Sequence, residues 1–302
     1  MEDLYNKLRN ELEGNLTFLE DKPEETVDST LQALWHKAAG RSVSAKMASK
    51  FNLSSLSEKQ AIALQQSVKQ RLDGKPLTHI TERQNFMGIE FISDRRALIP
   101  RVETEILANA ALQICIEILR SQKMIRIFDV CCGSGNVGLS LAKLLDNVFV
   151  YSSDLSEEAV DLTQENIEFL NLHNKVKALP SDLFASFELP EFYNKVDIIT
   201  CNPPYISTAK VSKMNNEISE NEPLLAFDGG MLGIKIIQKL IADSPRFLCP
   251  NGWLLFELGI GQGPFLLKLL EGNETYGKIE TFSDNTGNIR AIAAQNCAKT
   301  NN

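Results

Sequence analysis

Apolar residues recur at helical spacing through the first quarter of the chain. Leu4, Leu8 and Leu12 form one set, Leu31, Leu34 and Trp35 a second, and Ile62, Leu64 and Val68 a third. Each set predicts a helix with one buried face. Polar linkers, Glu20-Asp21-Lys22-Pro23 and Gly40-Arg41-Ser42, separate them, and Ser57-Glu58-Lys59-Gln60 has the form of a capping box ahead of the third. Leu72-Asp73-Gly74-Lys75-Pro76 then breaks the pattern. Residues 1–75 are therefore expected to form an all-helical domain. Residues 76–100 read as a connector with short β-like pieces, in which residues 86–92 form a hairpin or an irregular link. Helical spacing returns at Arg101, with Ile106, Leu107, Ala110, Ile114 and Ile118 on one face.

The pattern changes at Ile125. Short apolar runs at 125–130, 148–152, 176–179, 196–201 and 253–257 predict strands, with helices over 137–145 and 156–172 between them. The runs at 279–282 and 289–293 predict an antiparallel edge. This alternation predicts an α/β domain over residues 101–297, with a mostly parallel sheet and a C-terminal antiparallel hairpin. No internal repeat or low-complexity tract interrupts it.

Charge narrows the partners. The 302 residues carry a net charge of −8, with a pI near 5.1. Phosphate contacts need clustered Lys and Arg, so no stable nucleic-acid binding is expected, although a local basic patch stays open. No apolar run approaches the roughly 20 residues of a membrane span, and the N-terminus lacks the basic and apolar regions of a signal peptide. Cys115, Cys131, Cys132, Cys201, Cys249 and Cys297 form neither a C-x-x-C pair nor a zinc pattern, so no metal site is expected. Five of them lie in or beside apolar segments and read as buried thiols, which suits a reducing, cytoplasmic setting. His36, His79 and His173 lie far apart in sequence and read as packing or surface residues. A monomer is favoured, although nothing in the sequence fixes the oligomeric state.

The candidate chemistry lies at strand ends. Asn202-Pro203-Pro204-Tyr205 follows the run 196–201 and suits methylation of a planar nitrogen. Such a nitrogen has its lone pair delocalised into a π system, as in a peptide bond, and is a poor nucleophile. The Asn202 side-chain oxygen and the Pro203 carbonyl can hold its two hydrogens, which become more acidic as the new bond forms. The prolines stiffen the loop, and Tyr205 offers a face for a flat group. A proline-rich turn is the plainer alternative. Asp129, Cys131, Cys132, Gly133, Ser134 and Gly135 link the first strand of the α/β region to its helix. The glycines permit positive φ and close approach of a ligand. Asp154, at the end of the next strand, can accept both hydroxyls of a ribose. The full G-x-G-x-x-G is absent, and Asp129 would repel a pyrophosphate but suits an ammonium group. S-adenosylmethionine combines a sulfonium, an ammonium and an adenosine ribose. Asp182 and Leu183, after the third strand, can bracket an adenine. A glycine turn of any Rossmann-like domain and a solvated turn are the alternatives for these two segments.

With these segments in one order, the chain resembles the class I S-adenosylmethionine-dependent methyltransferases, and most of all the HemK-type release factor glutamine methyltransferases. The closer likeness extends to residues 98–105, 222–230, 252–259 and 284–290, within a region of about 96–295, and to Gly74-Lys75-Pro76-Leu77 before it. The resemblance implies a Rossmann-like domain, preceded by a small helical domain that recognises the substrate. It implies methyl transfer to the side-chain amide nitrogen of the glutamine in the Gly-Gly-Gln loop of peptide chain release factors. Asn202 and Pro203 would hold the amide hydrogens, and Pro204 and Tyr205 would shape the glutamine slot. Gly133 and Gly135 would meet the methionine part of the cofactor, Asp154 the ribose and Leu183 the adenine side, with Asn202 also beside the cofactor. The chain departs from the family at Cys131, where glycine is usual, at Val102, where proline is common, and over His79-Ile80-Thr81-Glu82-Arg83-Gln84-Asn85. Competing readings are an amide or amine methyltransferase for another protein or a small molecule, an adenine-N6 nucleic-acid methyltransferase, and a non-catalytic cofactor-binding protein.

Overall fold

A computed structural model describes residues 2–19, 22–211, 221–230 and 232–297. Glu20 and Asp21 of the first predicted linker lie outside the described residues. The chain divides into two units.

The first unit runs to Arg95 and takes in Ile99–Val102, Asn221 and Glu222. Helices α1 (Glu2–Asn15), α2 (Val27–Ala38) and α4 (Glu58–Leu72) are the three that the apolar spacing predicts, and a short α3 (Ala45–Ala48) lies between the last two. Leu8, Leu12, Leu31, Leu34, Trp35, Leu64 and Val68 meet in one core. Ser57 and Gln60 form the expected capping box on α4. Residues 77–81 correct the sequence reading, because they form a helix, α5 (Leu77–Thr81), rather than a β-like piece. One turn is too short to show a period. It starts after Pro76, whose missing N–H costs nothing at a helix start, and stops at Glu82 in the left-handed region, φ 58°. The hairpin is present as β1 (Arg83–Phe86) and β2 (Ile89–Ile92). Met87 and Gly88 both have positive φ, as a two-residue hairpin turn requires. Through Arg95 the predicted connector belongs to this helical unit.

The second unit comprises Arg96–Leu98 and the described chain from Glu103 onward, Asn221 and Glu222 excepted. Its first helix, α6, spans Thr104–Leu119, three residues later than expected from Arg101. Strands β3 (Ile125–Val130), β4 (Val148–Asp154), β5 (Val176–Pro180), β6 (Val196–Cys201), β7 (Leu248–Glu257), β8 (Tyr276–Ser283) and β9 (Ile289–Asn296) form one sheet in the order β5-β4-β3-β6-β7-β9-β8. The first five run parallel, and β9 pairs antiparallel with both β7 and β8. Helices α7 (Asn136–Leu144), α8 (Glu157–Phe169), α9 (Thr208–Val211), α10 (Lys235–Asp243) and α11 (Gly263–Glu271) complete the unit. Phe128, Phe187, Phe192 and Phe247 pack in the core beside β3. The chain leaves β3 toward β4 on one side and later returns to β6 on the other. That reversal opens a crevice at the carboxyl ends of β3 and β6, where open α/β sheets bind their ligands.

Candidate active site

The loop after β3 is held by backbone conformation and by α8. Cys131, Gly133 and Gly135 all have positive φ, at 56°, 56° and 80°. Thr163 donates to the Gly133 carbonyl at 2.8 Å, and Asn166 to the Ser134 carbonyl at 3.0 Å. Neither α8 residue was legible as a site residue, since only the tertiary fold brings that helix face to the loop. Ser134 is buried, its hydroxyl 3.4 Å from Asn136. A Cβ on Gly133 would meet only Ala97, at 3.8 Å, so the outer side of the loop is open. Burial raises the Cys132 and Cys201 thiols well above the ordinary thiol range, so neither is an activated nucleophile.

The two acidic residues nearest this loop divide their work. Asp154, at the end of β4, accepts from the Gly133 N–H at 2.9 Å and from the Ser156 N–H at 3.0 Å. Burial raises its pKa. One lone pair on each oxygen remains for a further donor. Asp129 is 2% exposed, and both its oxygens are engaged. Oδ2 accepts from the Gly138 N–H at 2.9 Å and Oδ1 from the Thr200 hydroxyl at 2.8 Å. Burial lifts its pKa to about 6, against those two hydrogen bonds. The carboxylate ties β3 to α7 and β6, and one lone pair on each oxygen remains.

After β5 come Asp182 and Leu183. Leu183 is buried, with φ at 50°. Asp182 is exposed and sits 3.4 Å from Lys239 on α10. Its carboxylate therefore has a solvated cation beside it.

After β6 comes Asn202-Pro203-Pro204-Tyr205. Asn202 Nδ2 donates to the Thr104 hydroxyl at 3.1 Å. No described residue donates to the Asn202 carboxamide oxygen or to the Pro203 carbonyl. Pro204 and Tyr205 are held from behind. A Cβ on Gly229 would stand 2.5 Å from the Pro204 oxygen, and one on Gly233 2.1 Å from the Tyr205 oxygen. Only glycine allows such backbone approach. Gln262 donates to the Tyr205 carbonyl at 3.0 Å and accepts from the Gly259 N–H at 2.8 Å. The Tyr205 hydroxyl donates to Glu257 Oε1 at 2.8 Å, and Arg290 Nη2 lies 3.6 Å from the same oxygen. Glu257 is 2% and Arg290 8% exposed. Burial raises the Glu257 pKa, opposed by Thr104, Tyr205 and Arg290. Burial, with the Glu257 charge, raises Tyr205 well above its usual range. The Arg290 guanidinium lies 6.0 Å from the Tyr205 ring centre, so the ring face is already partly covered by a cation. Glu257 and Arg290 carried a sequence signal, as charges inside apolar strand runs. Thr104 carried one only as part of the segment 98–105, and Gln262 carried none.

Two segments of the wider resemblance meet within the first unit. Glu222 accepts from the Ile99 N–H at 2.9 Å and from Arg101 at 2.6 Å. Among the described residues no group of three or more His, Cys, Asp or Glu is placed to hold a metal ion. No described helix is long and apolar enough to cross a membrane.

A family model, the methyltransferase small domain, matches residues 108–234. The release factor glutamine methyltransferase of Clostridium acetobutylicum is 36% identical over 75% of this chain and 77% of its own length. That of Gloeobacter violaceus is 32% identical over 73% of this chain and 74% of its own. The chain belongs to the release factor glutamine methyltransferase family. The hMettl16 catalytic domain, solved with a MAT2A 3′UTR hairpin, superposes at a TM-score of 0.55 with 17% identity, covering 85% of this chain and 93% of that one. At that identity the likeness shows the fold alone.

Methyltransferases of this family are S-adenosylmethionine-dependent, and the residues at the β3, β4 and β5 ends fit that cofactor. The glycine loop is open outward. Asp154 keeps acceptor capacity beside it, and the backbone at Leu183 is turned into the left-handed region. Such strained backbone clusters at ligand sites.

Proposed function

We propose that this chain methylates the side-chain amide nitrogen of the glutamine in the Gly-Gly-Gln loop of peptide chain release factors, in the cytoplasm where translation terminates. The observation that carries the reading is the pair of acceptors without protein donors, the Asn202 carboxamide oxygen and the Pro203 carbonyl, at the strand crossover beside the glycine loop. When bound, S-adenosylmethionine supplies an electrophilic methyl group and a neutral thioether leaving group. The two acceptors take the hydrogens of the substrate amide. Those hydrogens gain acidity as the nitrogen becomes bonded to carbon, so the contacts strengthen toward the transition state. No strong base is required, because the nitrogen can lose its proton after transfer. Pro204 and Tyr205 border the glutamine slot, and Asp154, Gly133, Gly135 and Leu183 hold the cofactor. Asp129, at the base of the glycine loop, and Asp182, beside Leu183, belong to the same cofactor site.

Every glutamine offers a planar amide, so discrimination has to come from a surface that reads the surrounding protein. We assign that part to the helical unit, which the methyl-transfer chemistry does not itself need. The deciding experiment incubates the full chain with labelled cofactor and, separately, intact release factor, a short Gly-Gly-Gln peptide and DNA. Labelling of intact release factor well above the peptide is expected. Efficient labelling of adenine in DNA with none on release factor would overturn the reading.

A further inference from the structure

Asn202 is useful as an acceptor only in one of its two orientations. The ends of a carboxamide are nearly equal in size, so packing does not choose between them. Some neighbour has to. Thr104, at the start of α6, is 1% exposed, and its hydroxyl lies 3.1 Å from Asn202 Nδ2. The same hydroxyl stands beside the Glu257 carboxylate, close enough to lower its pKa. Glu257 Oε1 takes Tyr205, and the buried Oε2 has no hydrogen-bond donor among the described residues, so it can draw a nearby hydroxyl hydrogen.

A hydroxyl has one hydrogen to give and lone pairs to receive with. A carboxylate only accepts, and it attracts a donor more strongly than a neutral amide oxygen does. The Thr104 hydrogen is therefore drawn to Glu257, and its lone pairs face Asn202. Only the NH₂ end of Asn202 satisfies them. We propose that Thr104 is a positioning residue: polarised by Glu257, it fixes the Asn202 carboxamide with Oδ1 toward the methyl acceptor. In the opposite orientation Asn202 would set its own NH₂ against the NH₂ of the substrate. The inference rests on the reading of Asn202 as the acceptor for the substrate amide.

The test compares Thr104→Val, which keeps the shape and loses the hydroxyl, with Thr104→Ser, which keeps it. At saturating release factor, single-turnover methylation should fall at least tenfold in Thr104→Val and stay within threefold of wild type in Thr104→Ser. Cofactor affinity should stay within twofold in both. Glu257→Gln should slow the enzyme with Thr104 intact, and Thr104→Val should add little to it. A Thr104→Val rate within twofold of wild type would overturn the proposal, as would equal losses in the two Thr104 variants. A readout independent of turnover is the nuclear Overhauser effect from the Asn202 side-chain NH₂ to the Thr104 methyl group, measured in wild type without substrate. Its presence is expected, and its absence refutes the orientation. A wild-type enzyme that labels no release factor defeats the functional reading alone, because the amide resonances still decide the positioning role.

Discussion

Tyr205 donates its hydroxyl to Glu257 at 2.8 Å, and so ties the last residue of the loop after β6 to the end of β7. Arg290 on β9 joins them at 3.6 Å from the same carboxylate oxygen. The loop that carries Asn202 is thus anchored to the antiparallel edge as well as to its own strand. Tyr205→Phe keeps the ring and removes the anchor, leaving a buried carboxylate with less support. A loss of about 1–3 kcal/mol in unfolding free energy is expected, with a fall in turnover larger than the change in cofactor affinity. Urea denaturation and single-turnover rates check both. Unchanged stability would mean that Glu257 is satisfied by Arg290 alone.

Gly233 is expected to be intolerant for two separable reasons. Its φ is 70°, and a Cβ there would meet the Tyr205 carbonyl oxygen at 2.1 Å. Backbone cannot yield as a side chain can. Gly40 supplies the comparison, with φ at 92° and nothing within 4 Å of an added Cβ. Gly40→Ala should cost only the left-handed strain, roughly 1–2 kcal/mol, with activity retained. Gly233→Ala should cost more and should abolish most turnover by displacing Tyr205. Equal effects of the two substitutions on methylation would remove the close approach from the argument.

Cys131 occupies a backbone conformation that suits glycine. Its φ is 56°, in the left-handed region, which costs an ordinary residue about 1–2 kcal/mol. Glycine relieves that strain but loses about 0.5–1 kcal/mol through its freer unfolded state. Cys131→Gly is therefore expected to fold with stability equal to wild type or up to about 1 kcal/mol higher, and to bind cofactor. Cys131→Val, with a branched Cβ, should be less stable than wild type. A destabilised glycine variant, seen by thermal unfolding, would show that the thiol makes contacts worth more than the strain.

These positions also mark how far sequence reasoning reached. Asn202-Pro203-Pro204-Tyr205, the glycine loop and Asp154 were legible as candidates because each lies within a few residues of a strand end, and the structure places them at the ends of β6, β3 and β4. The contacts of Asp129 with Thr200 and Gly138, and of Asp182 with Lys239, were not legible, because a carboxylate looks alike in sequence whatever it faces. Thr104 lies 98 residues from Asn202, and no periodicity connects them. The one-turn helix α5 fell below the length at which helical spacing can be seen. The three long N-terminal helices, the mostly parallel sheet and its C-terminal antiparallel hairpin rest on extended patterns, and these read well, whereas the strand order of the sheet carried no sequence signal.

Asp154 gives a test of the cofactor site with a built-in control. Asp154→Ala removes acceptors for the ribose together with those for the Gly133 and Ser156 N–H groups. A charge-assisted hydrogen bond contributes roughly 1.5–3 kcal/mol, so a loss of about tenfold or more in cofactor affinity is expected. Asp154→Asn keeps one acceptor oxygen and should lose less. Calorimetry showing wild-type affinity in a folded Asp154→Ala would exclude Asp154 from cofactor binding.

His79 should make the stability of the helical unit depend on pH. Burial lowers its pKa from 6.5 to about 4, and the charges of Lys22, Lys75 and Arg101 act in the same direction, with Asp94 opposing. Its Nε2 is buried without a hydrogen-bond partner among the described residues. The folded chain therefore binds fewer protons at this site than the unfolded chain between pH 4 and 6.5. Stability rises with pH wherever the unfolded state holds more protons, so this contribution is complete above pH 6.5 and is lost as pH falls toward 4. The full loss amounts to at most ~3.5 kcal/mol, because one pKa unit corresponds to about 1.4 kcal/mol. Carboxylates titrate in the same window, so the comparison must be with His79→Leu, which removes this one group. Urea denaturation of both proteins from pH 4 to 7 should show a steeper acid loss in wild type, with the curves parallel above pH 6.5. Parallel curves over the whole range would mean that His79 is protonated in the folded chain as readily as in the unfolded one.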